Sequence, residues 1–445
     1  MSKSSSRKQN PGSTRREFLT ASAAAASATL LGTLDISRSA HAGASDVLRL
    51  GMIGCGGRNT GAAAQALTAD KGARLVAMCD FFLDRVKAKR QALKQLKGDQ
   101  VAVDDDHCFA GFDGYKRVIE SSDVVVIANA AKFHPYHALA AIQAGKHVFV
   151  EKPHGIDPRG VKVMQSACDL AAKKGLCLVS GLQSRFHAGY IETVQRIHDG
   201  AIGDVVAIQE HWLRGPYGLG ARDPKHSELE WQVSVQYRFR WLSGDDVPQT
   251  LVHNIDRSSW VMHNQVPVKC HGLGGRSTMI DAQYGNVFDH HTVVYEFANG
   301  VPLYAFCRTT VNCYPDNSSV ILGTKGRASL LRCRIQGETT WQWKGQCDPY
   351  QAEHDALFAA IRSGKPLHSG AYMARSTMIC VMGQLSCYTG QEITWDQVQQ
   401  SDFCYPPRPE DCHDGMEPPT RPGPDGTYPV PQPGVTSLEE LAKLG

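Results

Sequence analysis

Apolar residues fall in two rhythms along this chain. Between Val47 and Ser180, short apolar runs alternate with stretches whose apolar positions recur every three to four residues. The runs at 47–53, 74–79, 123–129, 147–150 and 176–180 read as buried strands. The segments 60–69, 82–96, 135–144 and 158–174 read as helices. Alternation at this spacing predicts βαβ units around a parallel sheet. After about Leu182 the pattern turns β-rich, with strands expected at 204–212, 292–297, 302–310, 319–323, 328–332 and 339–343. Asn299-Gly300 and Lys325-Gly326 mark hairpin-type turns between them. Helices at 350–363 and 372–389 follow, the first with Glu353-His354, Leu357 and Ile361 spaced to pack against the parallel sheet. From Pro406 to Gly434, Pro, Gly and Asp dominate and predict an extended tail. The fold class expected is α/β: a doubly wound parallel sheet over 46–181, a second α/β region over 182–400, and a Pro-rich tail over 401–445.

Composition narrows the field. With 445 residues the chain is long enough for two or three domains. The formal charge is only +3, which excludes a nucleic-acid binder with a large basic surplus. The N-terminus carries much of that basicity. Thr14-Arg15-Arg16-Glu17-Phe18-Leu19 leads into an uncharged run to Leu34, and Ala40-His41-Ala42 offers a small-x-small cleavage pattern. Residues 1–42 resemble a twin-arginine signal, which implies export in the folded state by the twin-arginine machinery to the periplasm or cell exterior. A disordered basic tail and a retained, membrane-tethered signal are the other readings. Without those residues the formal charge is about −1. The run is too rich in Ala and Ser for a good membrane span, so no stable membrane insertion is expected after signal removal. Fourteen cysteines show no Cys-x-x-Cys spacing, although Cys404 and Cys412 could pair in an oxidising compartment.

The first strand runs into Gly54-Cys55-Gly56-Gly57-Arg58-Asn59, which opens a helix. Strand, glycine turn and helix together are the context of a dinucleotide-binding (Rossmann) fingerprint. Gly54 permits the turn, Gly56 lets backbone approach a pyrophosphate, and the helix N-terminal amides receive the anion. Asn59 stands where the third glycine is usual. Asp80, ending the second strand, is placed to accept hydrogen bonds from the adenosine ribose and favours NAD, while Arg85 leaves NADP open.

The strand at 147–150 runs into Glu151-Lys152-Pro153, at the carboxyl end where ligands sit in open α/β sheets. Together with Gly54-Cys55-Gly56, Asp80, the Ala140-to-Val148 run, Gly364-Lys365-Pro366-Leu367 and 389–395, this motif resembles the glucose–fructose oxidoreductase / inositol dehydrogenase / rhizopine catabolism (Gfo/Idh/MocA) family. The resemblance implies a Rossmann domain followed by an α/β domain with an open-faced mixed sheet, which commonly forms the dimer interface. A homodimer or homotetramer through that sheet is therefore expected. It also implies a nicotinamide cofactor and chemistry at a carbohydrate hydroxyl, with Lys152 touching that hydroxyl. His253 inherits the role of general base. If 247–260 were helical, Gln249, His253, Asp256 and Trp260 would share a face, and Asp256 could orient the His253 ring or bind substrate. Many family members carry Asp where Gln249 stands here, and an amide cannot stabilise an imidazolium as a carboxylate does.

Asn129, Ala130 and His134 follow the strand at 123–129 and should line the nicotinamide side with Glu151. Gln183 near the cofactor and Arg185 near the substrate follow the last parallel strand. Tyr237, Arg240 and Trp241 precede the His253 segment, and an aromatic face beside Arg suits a sugar, although aromatics in such runs often form core. His290 and His291, adjacent on a strand, point to opposite faces, so no catalytic metal is predicted. Three readings stay open. The first is an exported oxidoreductase acting on a sugar, polyol or glycoside with tightly held NAD. The second is a redox-neutral glycoside hydrolase or lyase working through a transient keto-sugar. The third is a non-catalytic sugar-binding protein.

Overall fold

A computed structural model describes residues 47–217 and 221–445. The expected export signal lies outside the described residues. The first region is a six-stranded, all-parallel sheet in the order β3-β2-β1-β4-β5-β6. Along the chain it reads β1 (Leu48–Ile53), α1 (Gly57–Ala69), β2 (Ala73–Asp80), α2 (Leu83–Lys97), β3 (Cys108–Ala110), α3 (Gly114–Ser121), β4 (Val124–Ile127), α4 (His134–Gln143), β5 (His147–Val150), α5 (Pro158–Lys174) and β6 (Leu178–Ser180). Strand order reverses between β1 and β4, which opens a crevice at their carboxyl ends. Short β3 and α3 are additions to the expected pattern. Their apolar stretches are too brief for periodicity to register.

The second region is a nine-stranded mixed sheet in the order β14-β13-β12-β11-β7-β10-β9-β8-β15. It follows α6 (Ala188–His198) and consists of β7 (Val205–Arg214), α7 (Glu228–Ser234), α8 (Arg240–Ser243), α9 (Val252–Val261), β8 (Pro267–Gly275), β9 (His290–Phe297), β10 (Pro302–Thr309), β11 (Asp316–Gly323), β12 (Gly326–Ser329), β13 (Arg334–Gly337) and β14 (Trp341–Gln342). Then come α10 (Pro349–Ser363), α11 (Gly370–Thr389), β15 (Ile393–Thr394) and α12 (Trp395–Gln400). The β7–β10 pair is parallel and the rest are antiparallel.

Packing does not respect the change of sheet near Leu182. Ile127, Val150 and Leu182 share one apolar core with Ile208, Val293 and Leu385. On the other face of the parallel sheet, Leu50, Met52, Val126 and Phe149 meet Leu357 and Phe358 of α10. The tail runs back across the molecule. Lys132 Nζ donates to Tyr405 O at 2.6 Å, Tyr405 N–H to Asp157 at 3.1 Å, and Phe112 N–H to Asp414 at 2.8 Å. It ends in α13 (Leu438–Leu444), whose Ser437/Glu440 capping box is readable as Ser-x-x-Glu. Cys404 and Cys412 do not pair. Each thiol lies against a main-chain carbonyl and all fourteen cysteines are free. Among the described residues no helix is long and apolar enough to cross a membrane.

Candidate active site

The glycine turn connects β1 to α1 at the crevice. Gly54 has φ +90°, and a Cβ there would lie 2.7 Å from the Asn129 backbone, so no other residue fits. A Cβ on Gly56 or Gly57 would meet nothing within 4 Å, leaving the start of α1 an open cradle suited to a pyrophosphate. Two residues of the turn serve it from behind rather than facing a ligand. The Asn59 amide donates to Ile53 O and Gly54 O, both at 2.8 Å, and the Cys55 side chain is buried in the core. Asn59 thus replaces the helix–strand packing of a third glycine with hydrogen bonds to the strand end.

Asp80 accepts from Cys55 N–H at 2.7 Å, and its other oxygen receives Phe82 N–H and Arg85 Nη1, both at 3.3 Å. Arg85 is held over the Phe82 ring, 4.8 Å from its centroid. It is spent on the carboxylate rather than free for a 2′-phosphate. The groove continues past Phe112, Asn129 and Phe133, and Val233, Gln236 and Leu242 from the second region line it too. Asn129 Oδ1 is buried without a hydrogen-bond partner among the described residues. The open cradle, the ribose carboxylate and this unspent acceptor fit a dinucleotide.

At the far end of the groove, Arg58, Asn129, Glu151, Lys152, Tyr237 and Gln249 surround a small cavity. Glu151, at the end of β5, is buried, and burial raises its pKa against the opposing pull of Arg58, 3.2 Å away. Gln183 donates to Tyr350 at 3.0 Å and keeps a buried Oε1 without a partner among the described residues. His134 borders the cavity but is a buttress. Its ring nitrogens lie 2.8 Å from Pro153 O and 3.0 Å from Asn129 O, and burial lowers its pKa to about 4. Ala130 is buried beside the groove. Lys152 Nζ donates to Gln249 O at 2.8 Å, and burial is the main force lowering its pKa.

The segment carrying Gln249 is not the regular helix expected. Val247–Leu251 forms a π-helical turn before α9 starts at Val252, so the face shared by Gln249, His253, Asp256 and Trp260 is broken. His253 stacks on Trp212 with centroids 5.9 Å apart, and its buried Nδ1 has no partner among the described residues. Burial, then the charges of Lys152 and Arg257, push its pKa well below the ordinary value. Among the described residues no carboxylate is hydrogen-bonded to it.

Three assignments are corrected here. Asp256 does not reach His253. It is fully buried in a bidentate pair with Arg185 (both contacts 2.8 Å) and accepts from Ser376 at 2.8 Å. Arg185 is accordingly not a substrate ligand, being clamped between Trp260 and Tyr372 with 4.7 and 4.5 Å to their ring centroids. Trp241 is core, donating to Gln232 at 2.8 Å, and the neighbouring Arg240 binds the main-chain oxygens of Asn286 and Gly445. Tyr237 alone of that group faces open space, 39% exposed. His290 and His291 do lie on opposite faces, one paired with Asp289 and the other with Asp245. Among the described residues no cluster of three metal-type side chains forms.

Sequence reasoning passed over Arg214, Tyr217, Asp246 and Tyr350. Arg214, closing a strand, and the adjacent Asp245-Asp246 were the available signals, but their pairing at 3.0 Å spans 32 residues.

Residues 48–182 match the family profile described as oxidoreductase family, NAD-binding Rossmann fold (GFO_IDH_MocA). The chain is 22% identical over 383 residues to an inositol 2-dehydrogenase/D-chiro-inositol 3-dehydrogenase of Halalkalibacterium halodurans, covering 83% of this chain and 99% of that one. It is 26% identical over 355 residues to an inositol 2-dehydrogenase of Agrobacterium fabrum, covering 76% and 94%. An aldose–aldose oxidoreductase of Caulobacter crescentus shares the fold with a TM-score of 0.60 at 20% identity, over 78% of this chain and 99% of that one. Residues 48–182 are thus similar to the Gfo/Idh/MocA oxidoreductase family over its NAD-binding Rossmann domain.

Proposed function

We propose that the chain oxidises a secondary hydroxyl of a sugar, polyol or glycoside, with NAD held in the crevice and Lys152 and His253 in acid–base roles. The observation that carries this reading is the cavity at the far end of the groove, lined by Glu151, Lys152 and Gln249. There Lys152 has one proton committed to Gln249 O, and His253, which lies outside the cavity's lining, is near enough for the Lys152 charge to lower its pKa. Bound NAD supplies the hydride acceptor. The two remaining Lys152 protons would donate to the substrate oxygen and stabilise the charge it gains as its proton leaves. His253, held neutral by burial, receives that proton.

The inositol dehydrogenases among the relatives support a carbohydrate hydroxyl as the reacting group. The Arg15-Arg16 segment supports export in the folded state, so the cofactor would travel inside the protein and be regenerated by a second substrate. Assembly as a homodimer or homotetramer through the nine-stranded sheet belongs to the same reading.

The test is to denature the purified protein, identify the released cofactor, and follow NADH absorbance over a panel of inositols, sugars and glycosides. Lys152→Ala and His253→Asn are each expected to lower kcat/KM by about 10²–10⁴-fold. Full activity in Lys152→Ala, or no nicotinamide bound or bindable, would sink the proposal.

A further inference from the structure

The C-terminal tail is bonded to both sides of the dinucleotide groove. One side is made by loops of the parallel sheet, with Gly111 and Phe112 after β3 and Ala130 and Phe133 after β4. The other is made by Val233, Gln236 and Leu242 of the second region. On the first side Asp414 accepts from Phe112 N–H at 2.8 Å. Its carboxylate fills the space that a side chain at Gly111, with φ +79°, would need. Lys132, buried and next to Phe133 in the chain, donates to Tyr405 O at 2.6 Å. On the second side Gln232, next to Val233, donates to Thr420 O at 2.8 Å. Glu228 accepts from the Tyr428 hydroxyl, and Phe239 lies edge-on to the Tyr428 ring with 4.9 Å between centroids. Arg240, just before Leu242, donates to Gly445 O at 2.9 Å.

The crossing from one side to the other is short and stiff. Asp414 and Thr420 are six positions apart, with Pro418-Pro419 between them. Their fixed φ angles leave little slack. Pro418 and Thr420 are buried, so the crossing is seated on the protein rather than looped away from it. A dinucleotide lying between two such sides leaves when they part, and parting them takes the tail off one side or the other.

We propose that the tail is a strap that holds the two sides of the groove together over bound NAD and slows its release. Asp414 is a positioning residue in it, acting through Phe112. The inference rests on the placing of NAD in the groove and not on which hydroxyl is oxidised. An exported chain that must keep its cofactor would need such slow release.

The experiment loads the full chain with NADH, adds excess NAD and follows the loss of bound-NADH fluorescence. Asp414→Ala removes one tie at an exposed position and should raise the release rate about tenfold, as expected from losing one hydrogen bond to a charged group. Asp414→Asn keeps an acceptor for Phe112 N–H and should stay within about threefold of the parent. Inserting Gly-Ser-Gly-Ser between Gly415 and Met416 leaves every tie in place, adds slack and should raise the rate likewise. This insertion serves alone if Asp414→Ala fails to fold. Asp425→Ala, in a tail turn where the carboxylate bonds to Thr427, should leave the rate unchanged. Thermal unfolding is followed alongside, because a tail that only stabilises the fold would lower the midpoint and leave the release rate where it was. A release rate unmoved in the folded variants overturns the strap alone. No nicotinamide bound by the parent overturns the NAD reading and the strap with it, so the two failures are distinguishable.

Discussion

Asp80 uses both carboxylate oxygens on the protein, one on the Cys55 amide and the other on Phe82 and Arg85. An anion so fixed repels a 2′-phosphate and at the same time occupies the only nearby arginine of α2 that could have welcomed one. Asp80→Ala removes the repulsion and frees Arg85. The ratio of kcat/KM for NADP to that for NAD should rise by roughly tenfold or more. An unchanged ratio would show that the ribose lies elsewhere. Asp80 was legible in the sequence because its role follows from its position, at the end of the strand after a glycine turn. Asp256 and Trp241 were not, because residue type gives a chemistry without naming the partner. Asp256 meets an arginine 71 residues away and Trp241 a glutamine on a preceding helix. Distance in sequence carries no signal of either encounter.

Helix α9 is held from two sides. Glu210 of β7, fully buried, accepts from Asn254 and Ser258 at 2.8 Å each and from Ser319 at 2.7 Å. The Arg185–Asp256–Ser376 group holds the other side of the same turn, at Asp256 between those two residues. These anchors fix where His253 stands, and the π-helical turn ahead of them sets where Gln249 O stands. Apolar periodicity fixed the existence of this helix but not the wide turn. Val247, Leu251 and Ile255 are buried in either geometry, so the hydrophobic pattern is the same. Asp256→Asn tests whether Asp256 anchors or reacts. Loss of a buried charge partner typically costs about 3–5 kcal/mol, so the denaturant midpoint should fall substantially. Turnover by the folded fraction at 25 °C should stay within a few-fold of the parent. A drop in kcat of a hundredfold with stability intact would return Asp256 to the chemistry.

Across the whole molecule, besides His253, four further histidines among the described residues, His134, His137, His154 and His354, are buried neutral. Burial lowers the pKa of His134 to about 4 and those of His137, His154 and His354 to about 3. Unfolded, each would titrate near 6.5, so below that pH the unfolded chain binds more protons than the folded one. Their contribution to stability is complete above pH 6.5 and is lost as pH falls towards 4 and then 3. Buried Glu151, Glu210, Asp157 and Glu353 have raised pKa values and act with the opposite sign over part of this range. A single substitution separates the two. His354 lies against Phe149 with ring centroids 4.3 Å apart, and neither ring nitrogen has a partner among the described residues. His354→Leu keeps an apolar contact on Phe149 and removes one proton-binding group from the unfolded chain. In urea titrations from pH 7 to 4, the parent should lose stability faster than the variant, the gap widening below pH 6.5 by at most about 1.4 kcal/mol per pH unit. A constant gap across that range would mean that His354 titrates alike in both states, and its burial would then contribute nothing to the acid sensitivity of the fold.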